Sequence, residues 1–206
     1  MHTASVSVEE LLKGVQAWQT GHFLLSSGLH SSEYMQGQRV LQYPRHGLAL
    51  AEALCQKLRE AGIAPDSVVG PALGAIHWEV FVASALDRQS PDKPVRAIFA
   101  ERADGPEFSI RRGIALKPGE KVLVVEDVTT TGASARKVVD LARSLGAEPI
   151  AVAAIVDRSG GSISFGIPFI SLLTIRFDTF EQAQCPMCKQ GVAIVKPGTT
   201  KIFDHV

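Results

Sequence analysis

The chain has 206 residues and a mass of 22.1 kDa, a length that favours one domain around a single hydrophobic core. Hydrophobic residues make up 46% and charged residues 20%, a balance that excludes an intrinsically disordered chain. The 21 Lys and Arg residues balance 21 Asp and Glu residues, so the formal net charge is zero. We therefore expect no nucleic-acid partner, and any affinity for phosphate must come from a local site.

Apolar runs and cysteines indicate the compartment. The longest apolar run, 150–156, is far shorter than the roughly 20 residues of a membrane span, and the N-terminus lacks a secretory pattern. Three cysteines, Cys55, Cys185 and Cys188, are too few for a closed disulfide framework. We therefore expect a cytoplasmic protein with free thiols and no membrane contact.

The N-terminal segment predicts a helix, because five apolar residues share one face at helical spacing: Val8, Leu11, Leu12, Val15 and Trp18. Ser7 and Glu10 match a capping box, and Gly21 is placed to end this helix. The polar segment 22–43 has no strong period, so no element is predicted there.

From residue 45 onward, helical segments alternate with short apolar runs. The predicted helices are 45–61, which follows Pro44 and ends at Gly62, 76–86, and 133–145, which ends at Gly146. The predicted strands are 68–69, 95–100, 122–125 and 150–156. This alternation predicts an α/β fold, with a parallel sheet flanked by helices and right-handed crossovers. Ligands bind at the carboxyl ends of such strands.

One loop after a predicted strand carries the densest set of polar groups. Glu126 and Asp127 follow the apolar run 122–125, and adjacent carboxylates there are costly unless they bind something, such as sugar hydroxyls or water-held magnesium. Segment 129–134, TTTGAS, supplies hydroxyls and backbone N–H groups at a helix N-terminus, which suits phosphate. Capping of the helix alone would need only one such residue, so capping does not explain the whole segment. No lysine of a Walker loop precedes Ser134, and Gly70 and Gly74 do not complete a dinucleotide fingerprint.

Segment 122–134, VLVVEDVTTTGAS, resembles the phosphoribosyl-diphosphate signature of the type I phosphoribosyltransferases. Segment 23–28, FLLSSG, with Ser31 and Tyr34 resembles the N-terminal hood of the orotate phosphoribosyltransferases. Further resemblances are found in GPA at 70–72, IVDR at 155–158, and CPMC at 185–188 followed by KPG at 196–198. The resemblance implies a single phosphoribosyltransferase domain over 1–206, with a hood formed by about 1–43 and part of the C-terminal tail.

The resemblance implies transfer of a phosphoribosyl group from phosphoribosyl diphosphate to orotate in pyrimidine synthesis. The catalytic residues would be Arg102 and Asp127. The diphosphate would be bound by Arg102, Glu126, Asp127, Val128, Thr129, Thr130, Thr131, Gly132, Ala133 and Ser134. Orotate would be bound by Thr130, Arg158, Tyr34 and Met35.

The resemblance also implies a cofactor and a partner. Magnesium would be held through substrate and water, with no direct protein ligand. A homodimer would form, in which the polar loop 101–113 closes over the neighbouring subunit's site. This loop carries arginines where known members have lysines, and Gly74 and Ser26 stand where many members have lysine. These departures leave open how strongly the pyrophosphate is held.

Several alternatives stay open at this level. One alternative is a phosphoribosyltransferase that uses a purine base, and another is a non-catalytic regulator that senses phosphoribosyl diphosphate. Arg158 could form a surface salt bridge with Asp157, and Tyr34 and Met35 could be ordinary packing. Cys185 and Cys188 have zinc-like spacing, but four ligands are needed and only Cys55 and scattered histidines are available, so free thiols are the default. His77, Trp78 and Glu79 are interpreted as packing or interface residues, and His30 receives no role.

Overall fold

The computed structural model describes residues 7–90, 92–102, 105 and 107–197. Within these ranges the helices are α1 (Val8–Gly14), α2 (Gln38–Leu41), α3 (Pro44–Glu60), α4 (Ile76–Gln89), α5 (Ala133–Ser144) and α6 (Pro186–Lys189), with a 3₁₀ turn at Gln182–Gln184. The strands are β1 (Trp18–Leu24), β2 (His30–Met35), β3 (Ser67–Pro71), β4 (Arg96–Arg102), β5 (Phe108–Ser109), β6 (Lys121–Thr129), β7 (Glu148–Asp157), β8 (Phe169–Thr174) and β9 (Thr179–Phe180). None of these helices is both long and apolar enough to cross a bilayer.

The central sheet has six strands in the order β5-β4-β3-β6-β7-β8. All neighbours are parallel except the short β5, which runs antiparallel to β4. Successive side chains of the buried strands alternate between two cores: Val68 and Leu123 belong to one, and Val69 and Val124 to the other. Helices α3 and α4 contribute to the first core and α5 to the second. The predicted parallel sheet flanked by helices is confirmed.

A second, antiparallel sheet of three strands, in the order β1-β2-β9, is formed largely within the segment that showed no sequence period. The β1–β2 register shifts between Thr20 and Phe23, so the alternation of buried and exposed residues is interrupted there. Because strand prediction depends on that alternation, the hairpin was not predicted. We call this three-stranded sheet the hood sheet.

The first predicted helix is shorter than expected. The capping box of Ser7 and Glu10 is present, but the helix ends at Gly14, and Gly21 lies inside β1. Gln16 adopts a left-handed conformation with φ 56°. The backbone N–H of Ala17 then donates to the Leu12 carbonyl at 2.8 Å, which closes the helix in a Schellman motif. The prediction failed because this role, usually taken by glycine, is taken here by glutamine.

Strand β6 is longer than its apolar run. It continues through Glu126 and Asp127 to Thr129, and its ladder with β7 pairs Glu126 with Ala154 and Thr129 with Asp157. The acidic pair therefore lies near the C-terminal end of the strand and not in the loop after it. The backbone ladder continues because hydrogen bonding to β7 does not depend on side-chain polarity.

Candidate active site

The turn between β6 and α5 forms an open cavity of about 180 Å³, lined by Glu126, Val128, Thr129, Thr130, Thr131, Gly132, Ala133 and Ser134. Gly132 is the N-cap of α5 with φ 74°, and a Cβ at that position would lie 2.9 Å from the Phe165 ring, so glycine is required for both conformation and space. Ala133 and Ser134 open the helix, where backbone N–H groups lack intrahelical partners. With the helix dipole, this arrangement favours an anion.

Thr129 lines this cavity, and its hydroxyl is a buried donor. Thr129 is 2% exposed, and its Oγ1 finds no hydrogen-bond partner in the described part of the chain. An unsatisfied buried hydroxyl costs free energy, so a ligand oxygen that bonded it would recover part of that cost.

The acidic pair is held in a low-dielectric environment. Burial, and to a smaller extent the neighbouring Asp127, raise the pKa of Glu126 to about 8. Burial also raises the pKa of Asp127 to about 6, against the effect of the Val128 backbone N–H, which donates to Asp127 Oδ1 at 2.8 Å. A Cβ on Gly37 would lie 2.5 Å from Asp127 Oδ2, so this carboxylate is packed directly against the backbone that follows the hood sheet.

Gly74, one of the positions where many family members have lysine, lies beside the same carboxylate. A Cβ there would be 3.6 Å from Asp127 Oδ1, which is an ordinary contact distance. Gln38, which the sequence analysis did not single out, donates its side-chain N–H to the Gly74 carbonyl. Its Oε1 lies 3.3 Å from His77 Nδ1. Gln38 therefore ties α2 to the loop after β3, a contact between distant segments that leaves no sequence signal.

Arg158 lies next to the anion cavity because β7 is the neighbour of β6. Its backbone N–H donates to the Thr129 carbonyl at 2.8 Å, and its guanidinium lies 4.5 Å from the centre of the Phe177 ring. Its buried Nε has no hydrogen-bond partner among residues 7–90, 92–102, 105 and 107–197. Asp157 accepts the backbone N–H groups of Ser159 and Gly161 instead of pairing with Arg158. The surface salt bridge considered from the sequence is therefore not what the structure shows.

The two hood residues expected at the orotate site differ in placement. Tyr34 is half-buried on β2, and its ring centre lies 5.6 Å from that of Phe23. Burial raises the pKa of the Tyr34 hydroxyl and the Arg158 charge lowers it, so the two side chains are close enough to interact. Met35 is 5% exposed and belongs to the core with α3 and α4. The packing alternative fits Met35, whereas Tyr34 faces the Arg158 side of the site.

Arg102 ends β4, which is separated from β6 by β3 in the sheet. Its guanidinium lies 5.2 Å from the centre of the Phe108 ring, and it lines a second, larger cavity of about 550 Å³ together with Ala72, Leu73, Ile76, Phe99, Glu101 and Arg112. Arg112 forms an ion pair with Glu101 at 3.1 Å. Arg111 donates to the Ser109 hydroxyl at 3.0 Å. Residues 103, 104 and 106 of the expected closing loop lie outside the described residues.

Comparison with known proteins identifies the family. Residues 36–187 match the phosphoribosyl transferase domain. The orotate phosphoribosyltransferase of Caldanaerobacter subterraneus subsp. tengcongensis is 44% identical over 195 residues, which cover 95% of this chain and 97% of that protein. The chain belongs to the orotate phosphoribosyltransferase family. It is accordingly an enzyme that transfers phosphoribosyl groups, as the resemblance implied.

Solved structures of orotate phosphoribosyltransferases share the fold. The crystal structure of the enzyme from Aeropyrum pernix superposes with a TM-score of 0.65 at 27% identity, covering 81% of this chain and 93% of that one. The enzyme from Mycobacterium tuberculosis, solved in complex with 5-phospho-α-D-ribosyl 1-diphosphate, gives a TM-score of 0.62 at 26% identity, covering 82% and 96%. The expected type I phosphoribosyltransferase fold is confirmed.

The raised pKa of Glu126 predicts a pH-dependent stability. Between about pH 4.5 and pH 8 the folded protein keeps a proton that the unfolded chain has lost, so the free energy of unfolding falls as the pH rises through this window. In urea unfolding of the ligand-free protein at pH 5 and pH 8, Glu126→Gln should reduce that fall by roughly 3 kcal/mol.

The matched control is Glu148→Gln, an exposed glutamate at the first residue of β7, which should keep the wild-type pH slope. Equal slopes in the wild type and Glu126→Gln would contradict a carboxyl group that is protonated by burial.

Proposed function

We propose that this chain catalyses attack of orotate N1 on the anomeric carbon of phosphoribosyl diphosphate, giving orotidine 5′-phosphate and pyrophosphate. The N1–C1 bond forms as the bond from C1 to the pyrophosphate oxygen breaks. The main support comes from two buried polar atoms that lack hydrogen-bond partners in the described chain, Thr129 Oγ1 and Arg158 Nε. They lie at the ends of adjacent strands. The first suits a phosphate and the second a carboxylate. The similar proteins are named orotate phosphoribosyltransferases, which supports this reaction over transfer to a purine base or non-catalytic sensing.

In this proposal the turn after β6 binds the 5′-phosphate. The residues that line its cavity are the same residues that the sequence assigned to phosphoribosyl diphosphate, Asp127 and Arg102 excepted. Glu126 and Asp127 hold the ribose hydroxyls, because hydroxyl donors stabilise the ionised carboxylates whose pKa values burial raises. Catalysis then depends mainly on positioning the sugar and stabilising the departing charge, since N1 of orotate ionises readily.

Arg158 binds the carboxylate of orotate in this proposal, and Tyr34 covers the ring from the hood sheet. A guanidinium suits this role because its planar donors match two carboxylate oxygens. The Phe177 ring holds the guanidinium in place, and the Asp157 carboxylate does not compete for it, since its own oxygens are occupied by backbone N–H groups. Thr130, exposed in the turn after β6, completes the proposed orotate contacts.

Magnesium is the proposed cofactor. The donor set fits it, because Glu126, which lines the cavity, and the adjacent Asp127 carry hard carboxylate oxygens. These residues would hold the ion through water and ribose hydroxyls, without a direct protein ligand. When bound, magnesium would supply positive charge to the pyrophosphate oxygens.

A homodimer with a shared loop is also proposed. Arg102 would reach the pyrophosphate of the neighbouring subunit's site. The apolar side chain of Leu73, which is 82% exposed, supports a second copy packed on this part of the surface. Leu73 also lines the cavity that Arg102 borders. The cytoplasmic location expected from the cysteines stays a prediction.

Thr129→Val tests the phosphate site. The variant keeps the shape of the side chain and removes the unsatisfied hydroxyl, so we expect calorimetric binding of phosphoribosyl diphosphate to weaken by roughly tenfold or more. The free energy of unfolding should stay equal or rise, because no intramolecular bond is lost. Thr20→Val, the same change on an exposed residue of β1, should leave both values unchanged. Unaltered diphosphate binding in Thr129→Val would remove the hydroxyl from the site.

Arg158→Ala tests the assignment of orotate. In an assay of orotate consumption, we expect the KM for orotate to rise by roughly tenfold or more while the KM for the diphosphate changes little. Arg88→Ala removes an exposed arginine that pairs with Glu52 across the α3–α4 surface, and should behave as wild type. If Arg158→Ala loses stability with no change in either KM, the arginine has a packing role.

Mixing two inactive variants tests the shared loop. If Arg102 serves the opposite site, a heterodimer of Arg102→Ala and Asp127→Asn contains one intact site, and random pairing should restore about a quarter of the wild-type activity. If each subunit supplies its own Arg102, every site in the mixture is defective and no activity returns. Sedimentation of the wild type should show a dimer.

A further inference from the structure

Four side chains from distant parts of the chain converge at one end of the hood sheet. His22 lies on β1 and His30 begins β2, while Cys185 is the N-cap of α6 and Cys188 lies within that helix. One potential ligand atom of each lies within 4.8 Å of the others. We propose that these four residues form a structural zinc site that fastens the C-terminal segment to the hood sheet. The turn after β6, with its oxygen donors, is a separate site.

The distances fit a tetrahedral ion. With Zn–S near 2.3 Å and Zn–N near 2.0–2.1 Å, sulfur and nitrogen ligands lie about 3.6 Å apart. Here Cys185 Sγ and Cys188 Sγ lie 3.5 and 3.7 Å from His22 Nε2, and Cys188 Sγ lies 3.3 Å from His30 Nδ1. His22 Nε2 and His30 Nδ1 lie 2.8 Å apart, and this distance would increase by about half an ångström on binding a zinc ion.

The tautomer of His22 is determined by a bond outside the cluster. His22 Nδ1 lies 2.8 Å from the Val192 carbonyl oxygen, which can only accept, so the proton is on Nδ1. Nε2 therefore presents a lone pair to His30, Cys185 and Cys188 at once. One lone pair accepts one good hydrogen bond, whereas a cation at the centre interacts with all four groups. A carbonyl that orients a ligating histidine in this way is the usual outer contact of zinc sites.

Burial supports a closed site. His22, His30 and Cys185 are 3%, 4% and 0% exposed, and Cys188 is partly buried. Two buried imidazoles and two thiols provide little mutual stabilisation as neutral groups, because each thiol is a weak donor. As two thiolates and two neutral imidazoles they neutralise a divalent zinc ion and complete its four-coordinate shell. With no open position, such an ion would be structural.

The local backbone pre-arranges both halves of the cluster. The imidazoles of His22 and His30 face each other across the β1–β2 hairpin, with ring centres 4.9 Å apart. Cys185 is the N-cap of α6, and its carbonyl accepts the Lys189 N–H at 3.2 Å, so the CPMC turn brings both sulfurs to one side. Neither half has to refold for the other to bind.

The site would close a very long loop. Outside the cluster, the segment after α6 is joined to β1 mainly by two backbone bonds, from Val195 N–H to the His22 carbonyl (2.8 Å) and from Leu24 N–H to the Val195 carbonyl (2.9 Å). More than 150 residues separate these partners, so an ion that binds both ends restricts the unfolded chain and favours the folded one. His30 shares β2 with Tyr34, so the ion would also steady the strand that covers the proposed orotate site.

Metal analysis of the untagged protein, purified without chelators from zinc-supplemented cells, tests the proposal. We expect about one zinc per chain in the wild type and almost none in Cys188→Ser or His30→Gln. Cys55→Ala, which removes the buried thiol of α3 outside the cluster, should keep the full zinc content. Removing zinc with a chelator should lower the Tm by about 5 °C or more, and adding zinc back should restore it.

Cobalt provides a measurement that does not depend on any variant folding. Cobalt added to the chelated wild type should give the strong visible absorption of a tetrahedral ion with thiolate charge-transfer bands, and zinc should displace it. Three results would overturn the proposal: zinc-free wild-type protein whose mass shows a Cys185–Cys188 disulfide, octahedral cobalt spectra, or equal zinc in Cys188→Ser. None of these results bears on turnover of orotate, so the enzyme assignment stands or fails separately.

Discussion

The register between β6 and β7 determines where the binding groups of this protein lie. Thr129 pairs with Asp157 at the end of the parallel ladder, so the turn that lines the anion cavity and the residue after β7 are brought side by side. The bond from the Arg158 N–H to the Thr129 carbonyl continues that ladder by one step. A shift of one residue would turn the Arg158 side chain to the opposite face of the sheet. The relation between the proposed phosphate and orotate sites therefore depends on backbone hydrogen bonds.

The site is electrostatically incomplete without ligands. Thr129 Oγ1 and Arg158 Nε are buried and lack partners within the described residues, and burial raises the pKa values of Glu126 and Asp127. Each of these buried polar groups lowers the stability of the free protein, and the apolar burial in the cores on both sides of the sheet offsets that cost. Polar groups that lack hydrogen-bond partners in the free protein can bond to a substrate. A stable sheet can therefore carry reactive groups at one of its edges.

The hood sheet depends on long-range contacts. β9 adds two residues to β2, and two backbone bonds join β1 to the segment around Val195. An antiparallel hairpin of this size is marginal without further packing, so the cluster of His22, His30, Cys185 and Cys188 lies where additional stabilisation has the largest effect. The sequence showed the CxxC spacing, but its two histidine partners lie 155 or more residues away, and His30 alone gave no indication of a role.

The sequence by itself determined the features whose causes are local. The capping box at Ser7, the helix ends at Gly62 and Gly146, and the unit of β6, its following turn and α5 each depend on residues within a few positions of one another. Only the tertiary structure decided which distant groups meet, such as Gln38 with Gly74, because spacing along the chain carries no information about register or packing between segments. The same reason explains why the hood hairpin left no sequence pattern. Its strands are stabilised by pairing with each other, and the register shift between them interrupts the alternation of buried and exposed residues.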